Sequence, residues 1–426
     1  MTERHVDALW EMLPEHTALD AEGALEIGGV PIADLAERYG TPLHVFDERG
    51  LREQARRFVE GLRSRWANSD VLFASKSLPA VGMYRIAQEE GLSVDVAGGG
   101  ELHLALAAGV DPDRIYFHGN AKTADEIRMA LDASIGAIIV DNTDELDRLE
   151  ALLTRPQRLL LRIIPEVDAR THTSQATGGR DSKFGLPMDH ALAVIERMRA
   201  HPLMRFEGVH LHIGSQILDT SQFAEAVAKI RSAGAFGTYD IGGGLGVKYT
   251  HADLAPSVED YLDAIVAAAR AHLPHDARLL IEPGRSLVAR AGVSVYRVVS
   301  VKRTGKVFVA VDGGMADQLD VALTGQRYEA VLANRADEPA AETVQLVGRQ
   351  CESGDLLIDG APLPAARVGD LVVMATTGAY SYTTANNYNG ALKPAIVFAE
   401  DGGSRLVTRR ESYDDLLATH LPALEG

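Results

Sequence analysis

Eight short apolar runs between Val71 and Gly284 constrain the fold more than any other feature of the sequence. Stretches rich in Ala, Glu and Arg, which favour helices, separate the runs. Such alternation of strand and helix is typical of a parallel sheet. Eight strand–helix units predict an α/β fold, a (β/α)8 TIM barrel, which typically takes about 250 residues. The runs are, in chain order, VLFASK, SVDVA, RIYFHG, AIIVD, LLLRII, GVHLHIGS, YDIGGG and LLIEPG.

A polar or reactive residue stands at or just after the end of every run. In a barrel the carboxyl ends of the strands meet on one face, where barrel enzymes have their active sites. The repetition favours a barrel over an open, doubly wound sheet and predicts an active site at these ends. The residues are Lys76, Asp95, His118, Asp141, Arg162, His212, Asp240 and Glu282.

The sequence on either side of the barrel predicts a second domain. From Val293 onward, short strands with turn signals follow one another with few helices, which is typical of an antiparallel β-domain. The segment LHVFDE, which begins at Leu43, reads as one further strand. We predict a barrel over residues 43–285 and a β-domain built from residues 1–42 and 286–426. The first 42 residues go to the β-domain because the barrel already has eight strands.

Composition and charge exclude several classes of protein. The 42 Lys and Arg against 60 Asp and Glu give a net charge of -18, which argues against nucleic acid or an anionic membrane as a partner. Cys351 is the single cysteine, so no internal disulfide can form and a reducing, cytoplasmic location is expected. No apolar run approaches the roughly 20 residues that span a bilayer. The N-terminal residues lack the apolar region of a signal peptide.

Lys76 ends the first run, where a buried charge would be costly. Taken alone, it is more simply explained as half of an ion pair or as a lysine whose end reaches solvent. The functional alternative is a lysine that forms a Schiff base with a carbonyl cofactor. The other motifs decide between these interpretations.

Two motifs after the seventh and eighth runs are suited to binding an anion. In DIGGGLG, consecutive glycines expose backbone N–H groups, although a plain tight turn is the simpler alternative. Phosphate sites in barrels favour the loops after strands seven and eight. In IEPGRSLVA, Glu282 and Arg285 could pair with each other. Beside a phosphate loop, Arg285 could instead bind phosphate or a substrate carboxylate, and Glu282 could keep a ring nitrogen protonated.

The motif HLHIGSQ places His210 and His212 on the same face of a strand. A metal site is disfavoured because no carboxylate or cysteine completes the set at a familiar spacing, and we predict none. A histidine stacked on an aromatic cofactor is the better functional interpretation, while His210 could be a core residue. Together with the lysine, the glycine loop, the glutamate and the arginine, these residues describe a site for pyridoxal 5'-phosphate.

The chain resembles the diaminopimelate decarboxylase family, within the alanine-racemase-fold group of ornithine and diaminopimelate decarboxylases. The resemblance runs from about Gly29 to Leu416. It implies a cytoplasmic lyase of amino-acid and lysine biosynthesis that decarboxylates meso-2,6-diaminopimelate to L-lysine. The motifs that carry the resemblance occur in the family's order: FASKSLP, TGGRDSKFG, HLHIGSQ, DIGGGLG, EPGRSLVA, DGGM, CESGD and TGAYSY.

The resemblance also implies a role for each matching residue. Lys76 would bind the cofactor covalently, His212 would stack on its ring, and Glu282 would bond the ring nitrogen. Cys351 would return a proton to the substrate Cα after CO2 leaves. Its loop would reach the active site of the neighbouring subunit, so a homodimer is implied. The phosphate and remaining cofactor contacts would come from Ser215, Gly242, Gly243, Gly244, Gly284, Arg285 and Tyr380, and the substrate contacts from Arg285, Glu352 and Tyr380.

One stretch departs from the family pattern. In the family an Arg, three further residues and a Tyr follow the DGGM segment and bind the distal end of the substrate. The ungapped comparison puts Asp320 and Thr324 at these two positions of substrate binding. A carboxylate there would repel a substrate carboxylate. In one interpretation the loop is shifted, and Arg327 or Tyr328 takes the place of the family's Arg or Tyr. In the other, the substrate has no distal carboxylate. Such a substrate would be ornithine, lysine or an intermediate of secondary-metabolite or siderophore synthesis.

Two other classes of function remain as alternatives. A racemase on the same barrel would need a second acid–base group opposite Lys76, and the CESGD motif argues against it. A non-catalytic relative is disfavoured because both Lys76 and Cys351 are present. Release of CO2 distinguishes the decarboxylase from both.

Overall fold

The computed structural model describes residues 4–167, 179 and 182–420. The motif TGGRDSKFG, at 177–185, therefore lies partly outside the described residues. The chain divides into two compact units. The barrel unit comprises Arg52–Val247 and Leu254–Leu287. The β-domain comprises the described residues of Met1–Leu51, Lys248–Asp253 and Val288–Gly426.

The N-terminal part of the β-domain begins with a small antiparallel sheet of three strands. Helix α1 follows it, and its buried residues Ile32, Leu35 and Ala36 recur at helical spacing, so one face of the helix is apolar. The elements are β1 (Thr17–Leu19), β2 (Leu25–Ile27), β3 (Val30–Pro31), α1 (Ile32–Tyr39), β4 (Leu43–Asp47) and α2 (Glu48–Arg65), of which α2 runs on into the barrel unit.

The barrel unit contains eight parallel strands that close on themselves. Neighbours in sequence are neighbours in the barrel, and the last strand pairs with the first through Leu279 and Ser69. The predicted (β/α)8 barrel is confirmed, because each of the eight apolar runs contributes one of these strands. The strands are β5 (Ser69–Ala74), β6 (Ser93–Val96), β7 (Ile115–Phe117), β8 (Ala137–Val140), β9 (Gln157–Arg162), β10 (Met204–His210), β11 (Thr238–Asp240) and β12 (Arg278–Ile281).

Local sequence signals start several of the barrel helices. Thr123 and Glu126 form a capping box at the start of α5, and Ser257 and Asp260 form another at α9. Each box satisfies backbone N–H groups that the first helical turn leaves without partners. The helices are α3 (Val81–Glu89), α4 (Gly99–Ala107), α5 (Ala124–Ala133), α6 (Thr143–Leu152), α7 (Met188–Ala200), α8 (Ser221–Ile230), α9 (Val258–His272) and α10 (Arg285–Val288).

The barrel interior is packed with side chains below the strand ends. A buried cluster joins residues from β5, β7, β8, β9 and β12. Its members are apolar or aromatic and reach at most 2% exposure, so the barrel is a filled core rather than a pore. The functional residues therefore lie above this layer, where the strands end. The cluster consists of Leu72, Tyr116, Ala137, Ile139, Leu160 and Leu280.

The β-domain is built on a mixed sheet of nine strands that is mostly antiparallel. The pairing of β4 with β19 (Ala395–Glu400) is parallel, and so is that of β14 (Val307–Val311) with β16 (Glu342–Val347). The remaining elements are β13 (Gly292–Arg303), β14 (Val307–Val311), α11 (Asp320–Thr324), β15 (Ala330–Leu332), β16 (Glu342–Val347), β17 (Leu356–Leu363), β18 (Leu371–Met374), α12 (Ser381–Thr384), β19 (Ala395–Glu400), β20 (Gly403–Thr408) and α13 (Tyr413–Leu417).

Strand β4 shifts the domain boundary from the predicted residue 43. It lies between β13 and β19 and pairs with both, so it belongs to the middle of the β-domain sheet. All five of its residues are buried. An apolar run of this kind reads the same in sequence whichever sheet it joins, which explains the misplacement. At the other end, the division at Leu287 lies close to the predicted residue 285.

Candidate active site

The glycine loop after β11 is packed too closely to accept side chains. Gly242 and Gly244 have positive φ values of 70° and 116°, which favour glycine. A Cβ at Gly243 would lie 2.0 Å from the backbone O of Glu282, and a Cβ at Gly244 would lie 2.3 Å from that of Gly214. The loop is therefore bare backbone fitted against its neighbours, as the prediction of a phosphate loop requires.

His212 is hydrogen-bonded to this glycine loop. The backbone N–H of Gly243 donates to its Nδ1 over 3.2 Å, so Nδ1 acts as an acceptor. Burial, and then the nearby Lys76 charge, lower the pKa of His212 well below its ordinary value. A neutral imidazole held in one orientation suits the stacking role predicted for it.

Ser215 and Arg285 lie together beside the loop. Arg285 is 5% exposed, and its Nε donates to Ser215 Oγ over 3.3 Å. A buried guanidinium beside a hydroxyl group is a combination that binds phosphate or carboxylate oxygens. The structure thus brings together two residues that the sequence separates by the whole of β11 and β12.

Lys76 lies in a short 3-10 turn (Ser75–Ser77) directly after β5 and is exposed. The backbone N–H of Ala74 donates to Pro283 O over 3.2 Å, which connects this turn to the end of β12. Gly284 packs on the same place, since a Cβ there would lie 3.0 Å from Ala74 Cβ. The barrel closure therefore puts the lysine beside the segment that carries Glu282.

Glu282 is buried between two histidines. Its Oε1 lies 3.0 Å from His118 Nε2, and its Oε2 lies 3.4 Å from His210 Nε2. Burial acts to raise the pKa of Glu282, but His118 and His210 outweigh it and hold this pKa well below the usual range. The side chain is thus a buried carboxylate that stays ionised.

The histidine–glutamate cluster also has a spacing that could suit a metal ion, since its ligand atoms all lie within 4.8 Å of one another. We interpret it as an acid–imidazole cluster because it supplies three ligands and Glu282 is the residue predicted to bond the cofactor ring. His118 and His210 were predicted only as a strand-end residue and a possible core residue.

The predicted residues of the β-domain form separate local groups. Tyr380 stands before α12 in a left-handed conformation, with φ 68°. Cys351 and Glu352 are exposed in the loop between β16 and β17. Asn389 Oδ1 accepts from the backbone N–H of Cys351 over 2.8 Å.

Buried Asp355 anchors the cysteine loop. Its two carboxylate oxygens accept from the backbone N–H groups of Met315 and Gln350, each over 2.7 Å. A Cβ at Gly314 would come within 2.6 Å of this carboxylate, and one at Gly348 within 2.3 Å. The last residue of the CESGD motif thus joins the loop to the DGGM segment.

Asp320 is 5% exposed, and its carboxylate is occupied by hydroxyl groups of its own domain. Tyr328 Oη donates to Oδ2 over 2.9 Å, and Thr324 Oγ1 donates to Oδ1 over 3.1 Å. Asp320 and Thr324, the two residues that differ from the family pattern, therefore contact each other. Arg327 is exposed, whereas Tyr328 is buried and its hydroxyl is bonded to Asp320.

Comparison with known proteins identifies the family. The family described as "Pyridoxal-dependent decarboxylase, pyridoxal binding domain" matches residues 49–289. The chain belongs to the pyridoxal-dependent decarboxylases. It is 43% identical over 424 residues to diaminopimelate decarboxylase of Bacillus subtilis, which covers 95% of this chain and 97% of the relative. The corresponding enzyme of Halalkalibacterium halodurans is 41% identical over 427 residues, covering 96% and 97%.

A solved structure of diaminopimelate decarboxylase from M. jannaschii, in complex with L-lysine, matches this decarboxylase with a TM-score of 0.88 and 31% identity. The match covers 96% of this chain and 99% of that chain. The predicted family and the predicted carboxy-lyase class are confirmed. Within the described residues, none of the helices of this decarboxylase combines the length and apolar character needed to cross a bilayer.

Proposed function

We propose that this decarboxylase holds pyridoxal phosphate with the barrel residues predicted from its sequence. The observation that carries the proposal is Glu282, a buried carboxylate that stays ionised. Its Oε1 makes no aligned hydrogen bond within the described residues, and although His118 Nε2 lies 3.0 Å away, a carboxylate oxygen can accept a further bond from a protonated ring nitrogen. The glycine loop, with Ser215 and Arg285 beside it, fits the phosphate.

The bound cofactor would supply an acceptor for the electrons that remain when CO2 leaves. The chain would supply everything that orients this reaction. Glu282 would hold the ring nitrogen, and neutral His212 would lie against the ring. Lys76 would bind the carbonyl carbon and be released by the substrate amine. Tyr380 would contribute to the phosphate and substrate contacts.

We further propose a homodimer in which Cys351 acts at the partner's barrel. The support is that Cys351 and Glu352 are exposed while the ends of their loop are fastened by Asp355 and Asn389. A loop held rigidly toward solvent suits a group that works outside its own domain. Cys351 would protonate the substrate Cα, and Glu352 would contact the substrate. A cytoplasmic location also remains our proposal, supported by the single cysteine.

The first candidate substrate is meso-2,6-diaminopimelate, which loses CO2 to give L-lysine. The support is similarity over nearly the whole chain to enzymes named diaminopimelate decarboxylase. The related M. jannaschii enzyme has been solved with L-lysine, the product of that reaction.

Asp320 favours a second candidate, an amino acid without a distal carboxylate, such as D-lysine or D-ornithine. In the ungapped comparison a buried carboxylate stands at the position of the family's cation, and Thr324 Oγ1 donates a hydrogen bond to it. Two carboxylates facing each other in a desolvated pocket repel, so the replacement would change which substrate is preferred.

One experiment tests the activity and separates the candidates. CO2 release is measured from meso-diaminopimelate, D-lysine and D-ornithine, with the wild type and with Asp320→Arg/Thr324→Tyr. The first candidate requires the wild type to prefer meso-diaminopimelate and the double variant to lose that preference. The second requires the double variant to gain it, measured as the ratio of kcat/KM values.

Two controls make the result specific. Asp359→Arg reverses an exposed charge of the same domain and should leave the ratio unchanged. Tyr328→Phe removes the hydroxyl that donates to Asp320 but keeps the charge, so it separates loss of packing from loss of charge. Absence of CO2 release from every substrate would overturn the decarboxylase proposal.

A further inference from the structure

The carboxyl ends of the barrel strands hold buried acids and imidazoles that the proposed reaction does not use. Asp95, His118 and His210 all lie within contact distance of Glu282 or of one of its neighbours, and all are at most 6% exposed. Buried ionisable groups are costly unless they are paired or functional. Their arrangement around a single carboxylate calls for a role.

His118 occupies the central position in this group. Its Nε2 lies 3.0 Å from Glu282 Oε1 and 3.8 Å from Asp95 Oδ1. The closer contact is not an aligned hydrogen bond. Of the two histidines at Glu282, only His118 also forms an ion-pair contact with a second carboxylate among the described residues.

His210 makes a different contact with the same carboxylate. Its Nε2 lies 3.4 Å from Glu282 Oε2, and its Nδ1 has no hydrogen-bond partner among the described residues. Burial lowers the pKa of His210 to about 4. It therefore acts as a neutral donor to Glu282.

Among the neighbouring acids, Glu282 is the group that ionises most readily. Burial, with Glu282 as a further cause, raises the pKa of Asp95 to about 6 and raises that of Asp240 well above its ordinary value. Close carboxylates separate in this way because they cannot all ionise together. The groups that influence this cluster electrostatically are Lys76, Asp95, Glu101, His118, Arg162, His210, His212, Asp240 and Tyr261.

We propose that His118 is a positioning residue whose imidazole, set between Asp95 and Glu282, fixes the Glu282 carboxylate in place. The proposal rests on the cofactor role proposed for Glu282. His118 contacts neither substrate nor cofactor in this scheme and acts only through Glu282. His210 supplies the second, neutral contact.

A double-variant cycle tests this inference, with His118→Gln, Glu282→Gln and the two combined. Each purified protein is measured for its affinity for pyridoxal phosphate, for the pH dependence of the bound cofactor's visible absorbance, and for kcat and KM. We expect His118→Gln to lower kcat by about 10- to 100-fold, by analogy with the loss of a residue that orients a metal-binding side chain. KM should change little.

Non-additivity is the decisive result. If His118 acts through Glu282, the double variant should be no worse than Glu282→Gln alone, and the absorbance midpoint should shift in the same direction in both single variants. Losses that multiply in the double variant, or an unchanged absorbance profile in His118→Gln, would overturn the inference. An unchanged profile in Glu282→Gln would overturn the proposed role of Glu282 as well.

Two further variants keep the test informative. His44→Gln changes an equally buried histidine of the β-domain, whose Nδ1 lies 3.1 Å from Ser294 Oγ, and should leave the absorbance profile unchanged. Asp95→Asn removes the charge at the second contact of His118 and should also shift the midpoint, by a smaller amount. If His118→Gln does not fold, an Asp95→Asn profile identical to that of the wild type overturns the inference.

Discussion

Glu282 in the barrel and Asp355 in the β-domain are both buried carboxylates, but their surroundings differ in kind. Glu282 faces two imidazoles, and its pKa is held well below the usual range. Asp355 receives hydrogen bonds from the backbone N–H groups of Met315 and Gln350, and burial raises its pKa. The two neighbouring imidazoles hold the pKa of the first carboxylate low, whereas backbone amides offset only part of the burial of the second.

This difference separates the functions of the two regions. A carboxylate kept ionised inside a barrel is suited to binding a cationic ring nitrogen. A carboxylate that joins two backbone segments is suited to holding a loop in one shape. Variants in the barrel should therefore alter the binding or the absorbance of the cofactor. Variants around the cysteine loop should lower turnover and leave cofactor binding unchanged.

The largest effect is expected from Lys76→Ala. Loss of the amine removes the covalent attachment of the cofactor, so the purified protein should lose its yellow colour and release no measurable CO2. The measurements are the visible absorbance spectrum and CO2 release. Lys306→Ala, an exposed lysine of the β-domain, should behave like the wild type. Normal turnover by Lys76→Ala would contradict the cofactor assignment.

Cys351→Ala is expected to lower kcat by roughly 10²–10⁴-fold, the worth of a positioned proton donor, with cofactor binding unchanged. Because the loop is proposed to act on the partner's barrel, mixed Lys76→Ala and Cys351→Ala subunits should recover part of the activity. Heterodimers are first identified in the mixtures by mass spectrometry. The recovered activity is then measured as CO2 release. Heterodimers without activity would rule out a shared site.

A smaller effect is expected from Asp355→Asn. The amide can accept from one of the two backbone N–H groups, but its NH2 group faces the other, so the loop should lose its fixed position. We expect kcat to fall by about 10- to 100-fold, since small displacements of a reacting group have effects of this size. Cofactor affinity should stay unchanged, and Asp359→Asn serves as the control. A cofactor affinity that falls with kcat would erase the distinction between the regions.

Asp317→Asn should affect stability and not turnover. Burial is the main reason that the pKa of Asp317 is raised from 3.8 to about 7. Between these values the native state keeps a proton that the unfolded state has lost, so the wild type is destabilised as the pH rises. Asparagine resembles the protonated form, so Asp317→Asn should remove this dependence of the free energy of unfolding on pH. Urea unfolding of both proteins below pH 3.8 and above pH 7 measures this dependence. Free energies of unfolding that change in parallel with pH in the two proteins would contradict the raised pKa of Asp317.

The barrel could be predicted because its pattern repeats. Eight alternations and eight polar strand ends leave few topologies, and the carboxyl ends of parallel strands must share a face. Strand β4 was misplaced because five buried residues carry no information about which sheet they join. Its partners, β13 and β19, lie far along the chain.

Contacts between side chains were harder to predict than positions. The sequence marked His118 as one strand end among eight, but nothing in it shows that His118 lies 3.0 Å from Glu282. The sequence likewise marked Asp320 as unusual, yet Tyr328 was considered only as a substitute ligand. The structure shows instead that the Tyr328 hydroxyl is a partner of Asp320.

The closure of the barrel determines when the site can exist during synthesis of the chain. Lys76 follows the first barrel strand and Glu282 follows the last, and they become neighbours only when β12 pairs with β5. Pairing between segments so distant in sequence forms late, because the intervening loop must be closed first. A nascent chain that has not yet emerged as far as β12 carries Lys76 without Glu282, Gly284 and Arg285 beside it. On the proposed assignment of these residues, the chain would bind the cofactor only after the barrel is complete.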